Sequence, residues 1–167
     1  MGPYTIHILA LRDCTPVVPV GFADMLRKTS MLDAFVPGFQ VRQGVRVALV
    51  SATKERTVTA AGGLKLGCEL TLAEARQSDL VLVPALDPDV VQHLELNRGV
   101  VPWLKRAWLA GADVASACTG AFLLAEAGLL DRRSATTHWA FAPLFAQRYP
   151  RVRLEPQAII VDQGRII

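Results

Sequence analysis

Three stretches of the chain are unbroken or nearly unbroken in apolar character, and they set its architecture. Thr5–Leu11 (TIHILAL), Asp79–Ala85 (DLVLVPA) and Asp113–Cys118 (DVASAC) each read as a strand, the last two as strands buried on both faces of a sheet. Gln40–Ser51 alternates as QVRQGVRVALVS and predicts a further strand. Between them lie helical patterns at Phe22–Lys28, Asp87–Leu96 and Val101–Ala110, the last ending at Gly111, and the AFLLAEAGLL run after Thr119-Gly120. Thr57–Leu70 carries short β-like pieces around Gly62-Gly63 and predicts a hairpin. Thr71 followed by Glu74 has the spacing of a capping box and predicts a short helix. Gln157–Val161 and Gly164–Ile167 read either as a hairpin or as a strand feeding a unit that is not completed.

Strands alternating with helices at this spacing imply βαβ units, hence an α/β domain: a doubly wound, mostly parallel sheet with helices on both faces. In such sheets ligands bind at the carboxyl ends of the strands, so the turns after the strands are where chemistry is sought. The length of 167 residues suits one domain spanning residues 1–167, and no repeat or low-complexity linker divides it.

Composition narrows the class. An apolar fraction of 51% with 20% charged residues belongs to a folded globular chain. The net charge of +3 is mild and the arginines are scattered, so a solvated surface explains them better than a nucleic-acid footprint. The apolar runs are too short, or too interrupted by charge, to span a bilayer, and the N-terminus lacks the pattern of a secretory signal. Cys14, Cys68 and Cys118 are an odd count without CxxC spacing, which argues against a disulfide framework and a structural zinc. A cytoplasmic protein without membrane partner, metal or cofactor is expected.

The candidate chemistry lies in Ala115–Ala121 (ASACTGA). A strand of small residues runs into Cys118, and a helix starts almost at once; Ala117, Gly120 and Ala121 are small enough for so tight a turn. A thiol at a helix N-terminus meets unpaired N–H groups and the positive end of the dipole, which lower its pKa and favour a nucleophile or redox centre. A buried cysteine acting as a small apolar residue fits the same local pattern.

The stretch SACTGAFLLAEAGLLDRRSATTHW, residues 116–139, resembles the signature of the ThiJ/PfpI superfamily, with its class I glutamine amidotransferase-like, flavodoxin-like fold. Within it the chain is similar to the N-terminal domain of AraC-type transcriptional regulators and to the isocyanide hydratases. That resemblance implies that Cys118 occupies the nucleophile-elbow position and that His138 lies near the thiol. His7 and His93 gain no such role. Enzymes of the superfamily pair the cysteine with a carboxylate after the first strand; here Val18 stands at that position, Asp13 lies several residues early, and Asp24 about one helical turn late. The Pro-Gly-Gly of the family, whose backbone N–H can serve as an oxyanion donor, is replaced by Pro84-Ala85-Leu86.

Both departures favour a pocket that binds without turnover. The expected function is therefore a non-catalytic ligand-sensing and dimerisation domain of an AraC-family regulator. It would bind a small-molecule effector through Cys118, Thr119, Ala85, Leu86, His138 and Asp13, form a homodimer, and reach DNA only through a C-terminal helix-turn-helix domain absent from this chain. A cysteine-dependent hydratase, amidase or glyoxalase-like enzyme using Cys118 and His138 remains the alternative, and a sensor whose Cys118 is oxidised is a third reading. The Thr57–Leu70 hairpin is equally a dimer contact or a cover for the sheet edge.

Overall fold

The computed structural model describes residues 2–29, 36 and 44–167. Its centre is a sheet of five parallel strands in the order β5-β2-β1-β6-β7, formed by β1 (Tyr4–Ala10), β2 (Val45–Ser51), β5 (Leu70–Thr71), β6 (Leu80–Val83) and β7 (Asp113–Ser116). The chain moves outward from β1 to β2 and β5, then crosses back to lay β6 on the other side of β1, so the reversal of strand order falls between β1 and β6. Residues 40–43 of the expected second strand lie outside the described residues.

Helices cover both faces, as the alternation of patterns implies. On one face α1 (Val17–Thr29) buries Pro19 and Ala23, and this face holds Ile6, Ile8 and Leu49. On the other, α2 (Val90–Leu96), α3 (Val100–Leu109) and α4 (Ala121–Glu126) join Leu9, Val50, Val81, Val83 and Val114 in the larger core. Phe122, Phe145 and Tyr149 lock the far end through edge-to-face ring contacts, the first pair with centroids 4.9 Å apart. Phe145 belongs to α5 (Ala142–Arg148).

Several expectations need correction. Helix α1 begins five residues before the expected Phe22, because Pro19 sits within its first turn, where a missing N–H costs nothing. The Thr71–Glu74 capping pattern forms, with a Glu74 carboxylate oxygen accepting from the Thr71 N–H at 2.8 Å and its hydroxyl at 3.0 Å. It closes a single turn and not a helix, since Ala75 is buried and the chain runs on extended into β6. Of the two readings of the C-terminal segment, the hairpin is not formed and the strand-like one is met: Ile166 bridges Val114 in parallel, with the Val114 N–H donating to the Arg165 carbonyl at 2.9 Å. The expected Gly62-Gly63 hairpin is present as β3 (Thr57–Thr59) against β4 (Lys65–Gly67), with both glycines at positive φ in the turn.

The reading of β6 as buried on both faces is also overturned. Val81 and Val83 are buried, but Leu80 and Leu82, pointing to the α1 face, are only half-buried. Strand β6 is interior to the sheet, so this exposure comes from a part of the face that the described residues leave open and not from an edge.

Candidate functional site

At the end of β7 the backbone turns sharply at Cys118, whose φ of +56° lies in the left-handed region that a non-glycine residue enters only at a cost. A 3₁₀ turn over Cys118–Gly120 then leads directly into α4. Gly120 itself has ordinary helical angles, but a Cβ there would lie 2.7 Å from the Pro84 carbonyl oxygen and 2.8 Å from that of Val83. Glycine is thus required because the elbow presses against the end of β6. Cys118 is exposed, while Thr119 and Gly120, which follow it in the turn, are buried.

Thr119 holds the elbow in place. Its hydroxyl donates to the Leu86 carbonyl at 2.7 Å and accepts from the Leu86 N–H at 2.8 Å, and it is only 2% exposed. Ala85 and Leu86 are buried too, and the Ala85 carbonyl accepts from the Thr15 N–H at 2.9 Å. A Cys14–Leu86 bridge and an Asp87 N–H donating to the Asp13 carbonyl at 3.1 Å complete a seam between the loops after β1 and β6. The switch-point crevice is therefore filled by the protein's own backbone. Of the expected contact residues, Thr119, Ala85 and Leu86 form the wall behind the elbow.

His138 belongs to a loop that is tied to the turn through its neighbour Thr137. Thr137, buried, donates its hydroxyl to the Cys118 carbonyl at 3.2 Å, which ties residues 136–138 to the turn. The Nδ1 of His138 accepts from the Ala140 N–H at 3.2 Å, capping the short 3₁₀ turn Trp139–Phe141. In the neutral ring that bond leaves the proton on Nε2. The ring also stacks on exposed Trp139, with centroids 5.3 Å apart.

Acids are placed elsewhere. Asp13, at φ +53°, lines an open polar cleft with Arg12, Thr53, Lys54 and Thr57. Asp24 pairs with Lys28 at 2.7 Å on the outer side of α1. Val18 lines an apolar groove of about 300 Å³ beside the elbow, together with Phe22, Leu82, Ala117 and Thr136, and none of the described residues around it is charged.

The other two cysteines differ from Cys118. Cys14 is fully buried, and burial pushes its thiol up to about 11; Cys68 is half-buried and pushed up to about 11 by the same cause. His7 is buried in β1, paired with Ser78, and burial lowers its pKa. His93 lies on α2, with its Nδ1 3.2 Å from the Asp87 carbonyl.

Sequence reasoning missed Asn97. This residue is 3% exposed; its Oδ1 accepts from the Arg12 N–H at 2.9 Å, and its Nδ2 donates to the carbonyls of Arg12 at 2.9 Å and His93 at 2.8 Å. It fixes the turn after β1 from 85 residues away. A lone asparagine at a helix end gives no signal of that in the sequence.

With the elbow, the seam and the parallel sheet in place, relatives can be compared. The DJ-1/PfpI family model matches residues 24–164. The chain belongs to the DJ-1/PfpI family. It is 32% identical over 113 residues to the HTH-type transcriptional regulator CdhR of Pseudomonas aeruginosa, covering 65% of this chain and 32% of that protein. With the HTH-type transcriptional regulator GlxA of Rhizobium meliloti it shares 30% identity over 109 residues, 65% of this chain and 33% of that one. The chain thus spans about a third of the length of these curated relatives. Among solved structures, Drosophila melanogaster DJ-1beta matches with a TM-score of 0.77 at 15% identity, over 98% of this chain and 80% of that one. An AraC family transcriptional regulator from Pseudomonas putida matches with a TM-score of 0.67 at 18% identity, over 98% and 82%. These likenesses show the same fold. No helix among the described residues is long and apolar enough to cross a membrane.

Proposed function

We propose that this chain is the ligand-sensing and dimerisation domain of an AraC-type transcriptional regulator, binding a small metabolite beside Cys118 without transforming it. DNA would be contacted by a separate helix-turn-helix region, as the names of CdhR and GlxA state for those proteins. The observation that carries the reading is an exposed thiol on a strained elbow whose neighbouring groove has Val18, and among the described residues no carboxylate, in its wall. A thiolate chemistry that needs a positioned acid to deliver or remove a proton finds no such acid among the described residues lining that groove. Ligand contacts are assigned to Cys118 and His138, with Thr119, Ala85 and Leu86 shaping the backbone behind them. Asp13 would take part only in a ligand that reaches the polar cleft. An effector acts by binding two states of the domain with different affinity.

The test is a thermal-shift screen with small amides, amino acids and amines, repeated on Cys118→Ala. A ligand present at 100 times its Kd stabilises by about 2.7 kcal/mol, a rise of roughly 5–10 °C for a chain of this size. That rise should shrink in Cys118→Ala while the unliganded melting temperature stays close to wild type. The exposed thiol, with His138 next in sequence to the Thr137 that bonds to the Cys118 carbonyl, also favours a second reading, a cysteine-dependent enzyme. Turnover of methylglyoxal or an isocyanide that Cys118→Ala abolishes would replace the sensing reading with that one.

A further inference from the structure

Parallel sheets bind ligands at the carboxyl ends of their strands, and the Cys118 groove takes up only one part of that edge. Over the ends of β1 and β2 lies an open polar cleft of about 990 Å³, within the size of small-molecule sites. It shares no lining residue with the groove beside Cys118. It lies at the opposite end of β2 from Gly44, and on the opposite flank of the sheet from Ile167 beside β7. Three segments build it, each fixed by hydrogen bonds. Buried Asn97 bonds both backbone groups of Arg12, and the Asp13 N–H donates to the Thr59 carbonyl at 3.1 Å. This clamp holds Asp13 at φ +53°, a strained angle that persists only where the surroundings impose it. The loop after β2 is wound on Thr53, whose hydroxyl accepts from the Glu55 N–H at 3.2 Å and lies 2.9 Å from the Oγ of buried Ser51. Lys54 and Glu55 are left exposed on that loop. On β3, Val58 is buried in the core, so Thr57 and Thr59 face outward and line the cleft.

We propose that this cleft is a second ligand site, one that takes a polyhydroxylated anion, a sugar phosphate or a sugar acid. It goes beyond the sensing reading and does not rest on it. The groups around the cleft select the ligand. Arg12, Lys54, Asp13 and Glu55 all line it, yet none of the four forms an ion pair with a described residue. The hydroxyls of Thr57 and Thr59 likewise have no hydrogen bond to a described residue. Two cations call for an anionic group, and a guanidinium fork matches the oxygens of a carboxylate or of a phosphate. Two carboxylates only accept, so they call for donors. Asp13 and Glu55 sit on separate loops, so those donors must be spread along the ligand. Hydroxyls on a carbon chain are spread in that way, whereas a single ammonium is not. None of the described residues lining the cleft is aromatic, so neither a nucleobase nor a quaternary ammonium finds a ring to stack on.

Amide NMR titrations of the 167-residue chain test this, with the dispersion of the spectrum as the check on folding. The probes are ribose 5-phosphate and glucose 6-phosphate for one source, gluconate and glucuronate for the other, against inorganic phosphate, acetate, glucose and glycine. At least one of the four sugar anions should shift the amides of residues 12–13 and 53–59, with a Kd at least about tenfold below that of every control. The arm that binds more tightly tells a phosphate ligand from a carboxylate one. Arg12→Met and Lys54→Met should each weaken it at least about tenfold. Thr57→Val/Thr59→Val should weaken the sugar anion and leave the affinity for inorganic phosphate unchanged. Lys65→Met, an equal loss of charge at an exposed position outside the cleft, should stay within about twofold of wild type. The proposal is overturned if no sugar anion shifts these amides, if inorganic phosphate binds as tightly as the sugar phosphates, or if glycine binds more tightly than all four. Shifts centred on residues 117–119 and 137–138 in place of the cleft overturn it too, and leave the sensing reading standing.

Discussion

Replacing Gly120 by alanine sets two effects of known sign against each other. Gly120 has φ −57° and ψ −24°, so alanine is conformationally welcome, and helix propensity alone would favour it by about 1 kcal/mol. Against this, the new methyl would meet backbone oxygen at 2.7 and 2.8 Å. Neither oxygen can retreat cheaply: β6 is paired on both sides, and the Val83 carbonyl already accepts from the Ala117 N–H at 2.9 Å. Overpacking of this kind costs about 1–3 kcal/mol, and weakening the Val83–Ala117 hydrogen bond adds about 1 kcal/mol. The net expectation is a loss of about 1–3 kcal/mol, read as a fall in melting temperature of roughly 2–10 °C. Urea and thermal denaturation measure it. Gly99→Ala is the control, since Gly99 shares the helical conformation but has open space around its Cα, and it should change stability by less than about 0.5 kcal/mol. A Gly120→Ala protein as stable as wild type would mean that the elbow does not press on β6, and the account of why Cys118 is held in place would fail with it.

Three further outcomes are expected. Asn97→Ala strips three part-buried hydrogen bonds to the backbone and should cost about 1–3 kcal/mol in urea denaturation; a loss under about 0.5 kcal/mol would show that Asn97 does not hold the Arg12 turn. With a maleimide or iodoacetamide at pH 8, Cys118 should be labelled first in the native protein, and Cys14, buried and raised to about 11, only as fast as the chain unfolds; rapid native labelling of Cys14 contradicts the buried seam. His7 has a folded pKa below its ordinary 6.5, so the unfolded chain binds the extra proton first. Its contribution to stability is complete above pH 6.5 and is lost as pH falls from there through the lower folded value; His7→Asn should flatten the melting-temperature profile between pH 7 and 5, and an unchanged slope would assign the effect to another group.

Much of this molecule was legible because its strongest signals are local. The SACTGA turn needs small residues wherever it occurs, so its neighbours marked Cys118 as a candidate elbow, and the resemblance to the ThiJ/PfpI superfamily put it there. Gly62-Gly63 specified the hairpin, since both must take positive φ, and the apolar runs at Asp79 and Asp113 specified two parallel strands. The capping pattern at Thr71 was equally local and formed as read, but how far a helix extends beyond its first turn depends on what it packs against, and here the chain is drawn into β6.

The sequence determined which segments become strands and helices, that the sheet is parallel, and where the cysteine turn falls, because these follow from periodicity and from steric demands within a few residues. Only the tertiary structure decided that Thr119 and Leu86 seal the switch point, that Asn97 reaches back to Arg12, and that Leu82 lies under a groove instead of under a helix. An apolar side chain records in its own chemistry that it can be covered. What covers it is a fact about distant parts of the chain, or about another chain, and is written nowhere near it.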